Sequence, residues 1–216
     1  YSPALDIAIE NALNYGRGGK GCVVVFASGH EGVDQVNYPG ISHSGVINVS
    51  AIRNNGQLYM SSNYGTGLDV VAPGDAIEST IWGGGTDTFS ETSAAAPHVA
   101  GVAALMLAAN PNLYRTEVAD IINYTAQSLP NNSNNQFGYG LVDAYRAVLW
   151  AKAIVKPAVS GPATAAPGTN VTFSVNNPLP VTLPAGSVLT YEWRKNTTSV
   201  SGSGSSIHIP VSGSSA

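Results

Sequence analysis

Residues 89–105 read FSETSAAAPHVAGVAAL, and this stretch decides how the rest of the chain is interpreted. After Ser93 the residues are almost all small or apolar, with the single histidine His98 among them. A helix that is apolar on every side belongs in the centre of a domain. A membrane span needs about 20 apolar residues, and this run is interrupted by Pro97 and Gly101. The stretch therefore predicts a buried core helix over residues 93–109, and no membrane span.

Three apolar runs precede this helix: CVVVFAS (22–28), GVINVSAI (45–52) and LDVVAP (68–73). Continuous β-branched runs of this kind are typical of strands that are covered on both faces. Strands that alternate with helices favour a mixed α/β fold, with a mostly parallel sheet and helices on both faces. The other predicted elements are helices at 4–16, 116–127 and 141–152, and a hairpin at 76–91.

The composition limits the classes of function. The chain has 216 residues, of which 44% are hydrophobic, so it can bury a substantial core. Only 10% are charged, against an average of about 25%, and a neutral polar surface favours an extracellular or cell-surface location, the periplasm included. The net charge of −4 and the lack of a basic run argue against a nucleic-acid partner. The single cysteine, Cys22, excludes an internal disulfide and a cysteine-based metal site.

The character of the sequence changes near residue 153. KPAVSGPATAAPG (156–168) is rich in proline, alanine and glycine and predicts a linker over residues 154–168. Beyond it, NVTFSV (170–175), SVLTYEWRK (187–195) and SIHIPV (206–211) alternate with period two, as half-buried strands do. Residues 169–216 are therefore expected to form a β-sandwich-like segment. It would be part of an immunoglobulin-like domain, which needs about 100 residues when complete.

TSAAAPHVAGVAAL (92–105) resembles the nucleophile helix of the subtilisin-like serine proteases, the subtilases. Four further stretches resemble parts of that family in the same order: VVVFASGHEG (23–32), YPG with the strand that follows it (38–52), SNYGTGLDVVAPG (62–74) and FGYGLVDAYRAV (137–148). The resemblance implies that residues 1–153 are the C-terminal part of a subtilase catalytic domain. It also implies a cis peptide bond between Tyr38 and Pro39.

The resemblance assigns roles to individual residues. Ser93 would be the nucleophile that attacks a peptide carbonyl, and its backbone N–H would be one donor to the oxyanion. His30 stands where the family has the asparagine that supplies the second donor. Ala27, Ser28 and Gly29 would form part of the S1 pocket wall. The implied partner is a polypeptide, and no cofactor is expected. The family includes members that bind calcium, but no compact Asp/Asn cluster in this sequence supports a calcium site, so no metal-binding residue is expected.

The sequence also departs from the family pattern. Subtilases use an Asp and a His upstream of the oxyanion turn, and neither the Asp-Ser/Thr-Gly nor the His-Gly-Thr motif occurs here. A serine without a base is a weak nucleophile, so this chain alone is expected to be inactive. Glu91 replaces the family's glycine two residues before the nucleophile. Glu91 and His30 are expected to lie within about 6 Å of each other, close enough to interact.

Three functional interpretations follow from these observations. The first is a subtilisin-like endopeptidase, and the second is a pseudoprotease, which binds peptide or protein without cleaving it. The third is a structural or adhesive extracellular module, for which the β-rich C-terminal segment is the only support. An Asp turn and a His-Gly-Thr helix elsewhere in the protein would favour the first interpretation over the second.

Overall fold

The computed structural model describes residues 1–130 and 135–154, and the backbone of five short strands further along the chain. The chain divides into two compact units, Tyr1–Lys152 and Ala153–Ala216. In chain order, the elements up to residue 153 are α1 (Pro3–Gly19), β1 (Val24–Ala27), a 3₁₀ turn (Gly40–Ser42), β2 (Val46–Ile52), β3 (Val70–Pro73), β4 (Ile77–Thr80), β5 (Thr86–Phe89), α2 (Thr92–Ala109), α3 (Arg115–Thr125) and α4 (Ala144–Ala153).

A three-stranded parallel sheet forms the centre of the first unit. Its order is β1-β2-β3, with Val24 opposite Val46 and Val49 opposite Val70. All seven residues of β2 are buried, as expected for an apolar strand between two parallel neighbours. Helices pack on this sheet, so the predicted mixed α/β fold is confirmed.

The helix predicted at 93–109 is α2, and it packs across all three strands of the sheet. Val99, Val102 and Met106 are buried on the side that meets the sheet. The predicted core helix is therefore present, although its apolar surface is not covered throughout, because Leu105 is 56% exposed and Ala100 is exposed as well. Within the described part of the chain, only one side of α2 is covered. By length and composition alone α2 could cross a membrane, a test that core helices also pass.

The hairpin predicted at 76–91 connects β3 to α2. β4 and β5 pair antiparallel, with Ile77 opposite Phe89, and the turn contains Gly83, Gly84 and Gly85. All three glycines have positive φ, which residues with a Cβ adopt only with strain. Every residue of β5 is exposed, so this hairpin projects away from the core as it leads the chain to α2.

A largely buried hydrogen bond between a histidine and an aspartate connects α1 to the segment that precedes β2. His43 Nε2 lies 2.8 Å from Asp6 Oδ1, and both side chains are largely buried. Burial raises the pKa of the Asp6 carboxyl, but hydrogen bonds from His43 and Tyr38 and the charge of His43 outweigh it. The pKa of Asp6 in the folded chain is therefore below its ordinary value.

We expect Asp6→Asn to lower the free energy of unfolding at neutral pH. A carboxyl whose pKa is lowered by folding stabilises the chain above its unfolded pKa, and this contribution disappears as the pH falls through the folded pKa. The difference between the original chain and the variant in urea titrations should therefore persist from neutral pH down to the unfolded pKa of an aspartate, about 3.9, and shrink as the pH falls below it. Asp120→Asn, at an exposed site on α3, is the matched control and should change little at any pH. A difference for Asp6→Asn that stays constant with pH would contradict the charge-based explanation.

The second unit consists of short antiparallel strands. They are β6 (Ala158–Ser160), β7 (Asn170–Asn176), β8 (Trp193–Lys195), β9 (Thr198–Val200) and β10 (Ser206–Pro210), with β10-β7-β6 in one sheet and β8 paired with β9. The strands predicted at 170–175 and 206–211 correspond to β7 and β10. β6 lies within the predicted linker, and most of the strand predicted at 187–195 lies outside the described residues. The immunoglobulin-like domain and the domain boundaries stay predictions.

Candidate active site

The candidate site lies at the carboxyl edge of the parallel sheet, where open α/β sheets usually bind their ligands. Ala27 ends β1, and Ser28, Gly29 and His30 follow it, while Gly74 follows β3. The backbone N–H of Glu91 donates to the carbonyl of Gly74 over 2.8 Å, and the Thr92 hydroxyl donates to the carbonyl of Gly29 over 3.3 Å. These two hydrogen bonds hold the start of α2 against the ends of two strands.

Ser93 occupies the first turn of α2 and is exposed, whereas its neighbours Thr92 and Ala94 are buried. The backbone N–H groups of Thr92 and Ser93, at the very start of the helix, have no acceptor within it, and the helix dipole adds positive potential there. Negative charge that develops on an oxygen next to Ser93 would be stabilised by both effects. The local geometry suits a nucleophile that forms an oxyanion.

The turn after β1 is held by buried serines. Ser28 is fully buried, its hydroxyl lies 2.7 Å from that of Ser50, and it donates to the carbonyl of Asn63 over 2.9 Å. The backbone N–H of Ser28 continues the sheet by donating to the carbonyl of Val49. Both polar groups of Ser28 are thus engaged with the neighbouring elements.

The fully buried side chain of Asn63 organises the same turn. Its Oδ1 accepts hydrogen bonds from the backbone N–H groups of Glu31 and Val33, at 3.0 and 3.2 Å. Its Nδ2 donates to Glu31 Oε2 over 2.7 Å and to Asn37 Oδ1 over 3.2 Å. Gly29 has φ +113°, and a Cβ there would lie 2.4 Å from Asn63 Nδ2. The side-chain amide of Asn63 therefore occupies the space that a side chain at position 29 would need.

Glu31 places a fixed negative charge beside the turn. The amides of Asn63 and Asn37 hold the pKa of its carboxyl below the usual range. Glu31, Asn37 and Asn63 were not among the candidate residues from the sequence. The only signal was the SNYG stretch at 62–65, which contributed to the resemblance but carried no residue role.

The two residues that depart from the family pattern, His30 and Glu91, lie next to each other in the structure. His30 Nδ1 lies 3.8 Å from Glu91 Oε2, so the expected proximity is confirmed. The two side chains are 49% and 44% exposed. The other carboxylate oxygen of Glu91 accepts a hydrogen bond from the Ser61 hydroxyl over 3.3 Å. Glu91 is thus held between a histidine and a serine, immediately before the start of α2.

The backbone of Glu91 is strained. It has φ +85° and ψ −176°, a region that is populated almost only by glycine. A residue with a Cβ in such a region costs of order 1–3 kcal/mol. Its N–H bond to Gly74 and its carbonyl, which accepts from Ala94 N–H over 3.0 Å, fix this conformation from both sides.

The other histidines of the first unit have different partners. His98 Nδ1 donates to the carbonyl of Ala94 one turn earlier in α2, over 3.0 Å, and His43 contacts Asp6. His208 belongs to the second unit, where only the backbone is described. Among the residues that the structure describes, no three His, Cys, Asp or Glu side chains lie close enough together to hold a metal ion. The Tyr38–Pro39 peptide bond is cis, as the resemblance implied.

Comparison with known proteins decides the family. Residues 1–140 match the profile of the subtilase family, peptidase S8. The chain belongs to the subtilase family. Alkaline elastase YaB of Bacillus sp. (strain YaB) is 40% identical over 146 residues, which are 68% of this chain and 38% of the elastase. Subtilisin BL of Lederbergia lenta is 38% identical over 146 residues, which are 68% of this chain and 53% of that subtilisin.

Solved subtilase-like structures share the fold. A protease from Pseudoalteromonas arctica PAMC 21717 superposes with a TM-score of 0.59 at 36% identity, covering 66% of this chain and 46% of that one. The prenylagaramide maturation protease PagA gives a TM-score of 0.60 at 25% identity, covering 68% of this chain and 55% of that one. The chain thus spans about half, or less, of the length of the relatives that it matches.

Proposed function

We propose that this chain carries the nucleophile of a serine endopeptidase. Ser93 Oγ attacks the carbonyl carbon of a peptide bond and gives its proton to a base. The tetrahedral intermediate then expels the amine, which takes up that proton, and an acyl-enzyme remains for water to hydrolyse. The observation that carries this proposal is the exposed position of Ser93 in the first turn of α2, above the turn that follows β1, in a chain of the subtilase family. Relatives that bear the names elastase and subtilisin support a polypeptide as the substrate.

The surrounding residues take the roles that the resemblance implied. The backbone N–H of Ser93 and the ring of His30 are the two donors to the developing oxyanion. The His30 side chain is 49% exposed, which supports its access to a substrate. Ala27, Ser28 and Gly29 line the S1 pocket. Ser28 is fully buried, and its hydroxyl is engaged with Ser50 and Asn63. Its backbone N–H and carbonyl bond to Val49 and Asn37, so Ser28 supports the pocket wall from behind.

The base for peptide hydrolysis comes from outside these 216 residues. The sequence contains neither family motif for the triad Asp and His, and the chain covers only 38% of the elastase that it matches. We assign residues 1–153 to the catalytic domain, 154–168 to a linker and 169–216 to part of an immunoglobulin-like domain. The small charged fraction supports an extracellular or cell-surface location.

One observation favours a second candidate, the pseudoprotease. Glu91 places a carboxylate 3.8 Å from the ring of His30, close to where the oxyanion would form. Negative charge there opposes the charge that develops in the transition state. A subtilase scaffold with this substitution could bind an extended polypeptide and leave it intact.

A hybrid protein tests the proposed function. The chain alone is expected to leave casein uncut. We expect hydrolysis when a subtilase segment that contains the family's Asp-Ser/Thr-Gly and His-Gly-Thr motifs is fused before Tyr1. Ser93→Ala in the hybrid should abolish the activity, because no acyl-enzyme can form.

The outcomes separate the two candidates. Ser93-dependent hydrolysis by the hybrid supports the endopeptidase. A hybrid that unfolds cooperatively, and therefore has a packed core, yet fails to cleave casein overturns it in favour of the pseudoprotease. Ser93-dependent cleavage of casein by the 216-residue chain alone would contradict the assignment of the peptidase base to another part of the protein.

A further inference from the structure

A second group of polar side chains lies at the edge of the parallel sheet that is opposite to Ser93. A cavity of about 230 Å³ there is lined by residues of α1, by residues 42–44 before β2, and by Arg115 at the start of α3. β2 separates the two edges, and its seven residues span about 20 Å. We propose that this cavity binds the carboxylate group of a small ligand through Arg115. The proposal goes beyond the proposed function, because Ser93 takes no part in it.

The side chain of Arg115 is held in place on its way to the cavity. It passes between two glycines, Gly21 with φ +78° and Gly45 with φ +103°. A Cβ at Gly21 would lie 2.6 Å from Cδ of the arginine, and a Cβ at Gly45 would collide with Nη1. Nε donates to the carbonyl of Leu13 in α1 over 2.8 Å, which orients the plane of the guanidinium. A ligand therefore meets a guanidinium that is already ordered, and this lowers the entropy that binding costs.

The outer nitrogens of the guanidinium are available to a ligand. The described residues provide Nη1 and Nη2 of Arg115 with no hydrogen-bond acceptor and no ion-pair partner, and both nitrogens reach solvent. The N–H groups of a guanidinium form a planar fork that matches the two oxygens of a carboxylate. Ser42 and Ser44 line the same cavity, and their hydroxyls are further donors there. The cavity thus offers an arginine fork with serine hydroxyls beside it.

The charges around the cavity favour a singly charged anion. The backbone N–H of Arg115 donates to the carbonyl of Lys20, and the side chains of Lys20 and Arg17 both donate to the carbonyl of Pro111. These carbonyls are neutral, so they leave the positive charges uncompensated. Among the described residues that line the cavity, Glu10 is the one acid. It repels a carboxylate less than a phosphate group, which carries about 1.5 to 2 negative charges at pH 7.

The volume limits the size of the ligand. Pockets that enclose drug-sized ligands measure about 300–1,000 Å³, and this cavity is smaller. It suits a short organic acid or the last residue of a polypeptide, both of which present one carboxylate.

Titration of the ¹⁵N-labelled 216-residue chain with acetate, exchanged for chloride at constant ionic strength, tests the inference by NMR. We expect a saturable shift of the backbone amide signal of Gly45, with half-saturation at about 1 mM, which is within the limit for so small a ligand. Arg115→Lys keeps the charge but loses the fork, and it should weaken binding about tenfold, as the loss of a hydrogen bond to a charged group does. Phosphate should bind more weakly than acetate. N-acetylglycine imitates the end of a polypeptide: tighter binding than acetate assigns the site to polypeptide ends, and equal binding assigns it to free acids.

Glu10→Gln gives a second test that does not depend on how Arg115→Lys folds. Glu10 is exposed on α1, and removing its charge should tighten the binding of acetate about threefold, the range of an exposed charge pair. Glu78→Gln is the matched control, because it makes the same replacement at an exposed site on β4, and it should leave the affinity unchanged.

Three results would overturn the inference. They are an amide signal of Gly45 that does not saturate with acetate, tighter binding of phosphate than of acetate, and a Glu10→Gln variant that binds acetate no better than Glu78→Gln does. None of these measurements involves Ser93, so the casein assay of the hybrid decides the proposed function separately.

Discussion

Asn63→Ala is expected to lower the free energy of unfolding by about 2–4 kcal/mol. The side chain is fully buried and makes four hydrogen bonds, two of them from the backbone N–H groups of Glu31 and Val33. Removing the amide leaves these two N–H groups without an acceptor, and each buried polar group that loses its partner costs about 1–3 kcal/mol. The two N–H groups together would cost about 2–6 kcal/mol. The lower half of that range applies, because Glu31 and Val33 are exposed enough for water to replace part of the lost hydrogen bonding.

Asn55→Ala provides the comparison. Asn55 also makes side-chain hydrogen bonds, but its partner is the nearby Gln57 in an exposed turn. Its replacement should change the free energy of unfolding by less than about 0.5 kcal/mol, as surface substitutions usually do. Urea titrations of both variants measure the difference. If Asn63→Ala is no more destabilising than Asn55→Ala, the network does not hold the turn after β1.

Glu91→Gly is expected to raise the free energy of unfolding by about 1–2 kcal/mol. Glycine adopts φ +85° without the strain of about 1–3 kcal/mol that glutamate carries there. Glycine also gains freedom in the unfolded chain, which offsets about 0.4–1 kcal/mol of that relief. The hydrogen bond from Ser61 is lost as well, but it is half-exposed and long at 3.3 Å, so its loss matters little.

Glu91→Ala separates the backbone effect from the effect of the carboxylate. Alanine also loses the contacts with His30 and Ser61 but keeps the Cβ, and therefore keeps the strain. Only the glycine variant should be more stable than the original chain in thermal or urea unfolding. Equal stability of the two variants would show that the φ of Glu91 costs nothing.

The strands and helices could be predicted because their sequence patterns are local. β2 reads as an unbroken β-branched run, and α2 as an apolar run that begins after Thr92. The nucleophile and the neighbouring turn could be proposed for a similar reason, since the family motifs are continuous in sequence. Burial on one side of α2 could not be predicted, because an all-apolar helix does not indicate which of its sides the chain covers.

Most of the polar contacts of the site could not be predicted from the sequence. Asp6 and His43 are separated by 37 positions, and Asn63 and Glu31 by 32. No periodicity connects residues so far apart. The proximity of Glu91 and His30 was predictable only because both depart from a family pattern. The positive φ of Glu91 was not predicted, because the side chain gives no sign of it, although the glycine that the family has there points to such a conformation.

α2 packs on the sheet and follows the β4–β5 hairpin in the chain, and these two connections differ in how often they open. Amides in a buried central strand such as β2 exchange with solvent only on global unfolding, whereas exposed two-stranded hairpins open far more often. Ser93 is joined to the slow region through Thr92 and Gly29, and to the fast one through the chain from Phe89. Ser93 therefore lies between a segment that opens rarely and one that opens often. The hydrogen bond between Thr92 and Gly29 persists for as long as the chain is folded, while the hairpin that precedes Ser93 in the chain opens and closes many times.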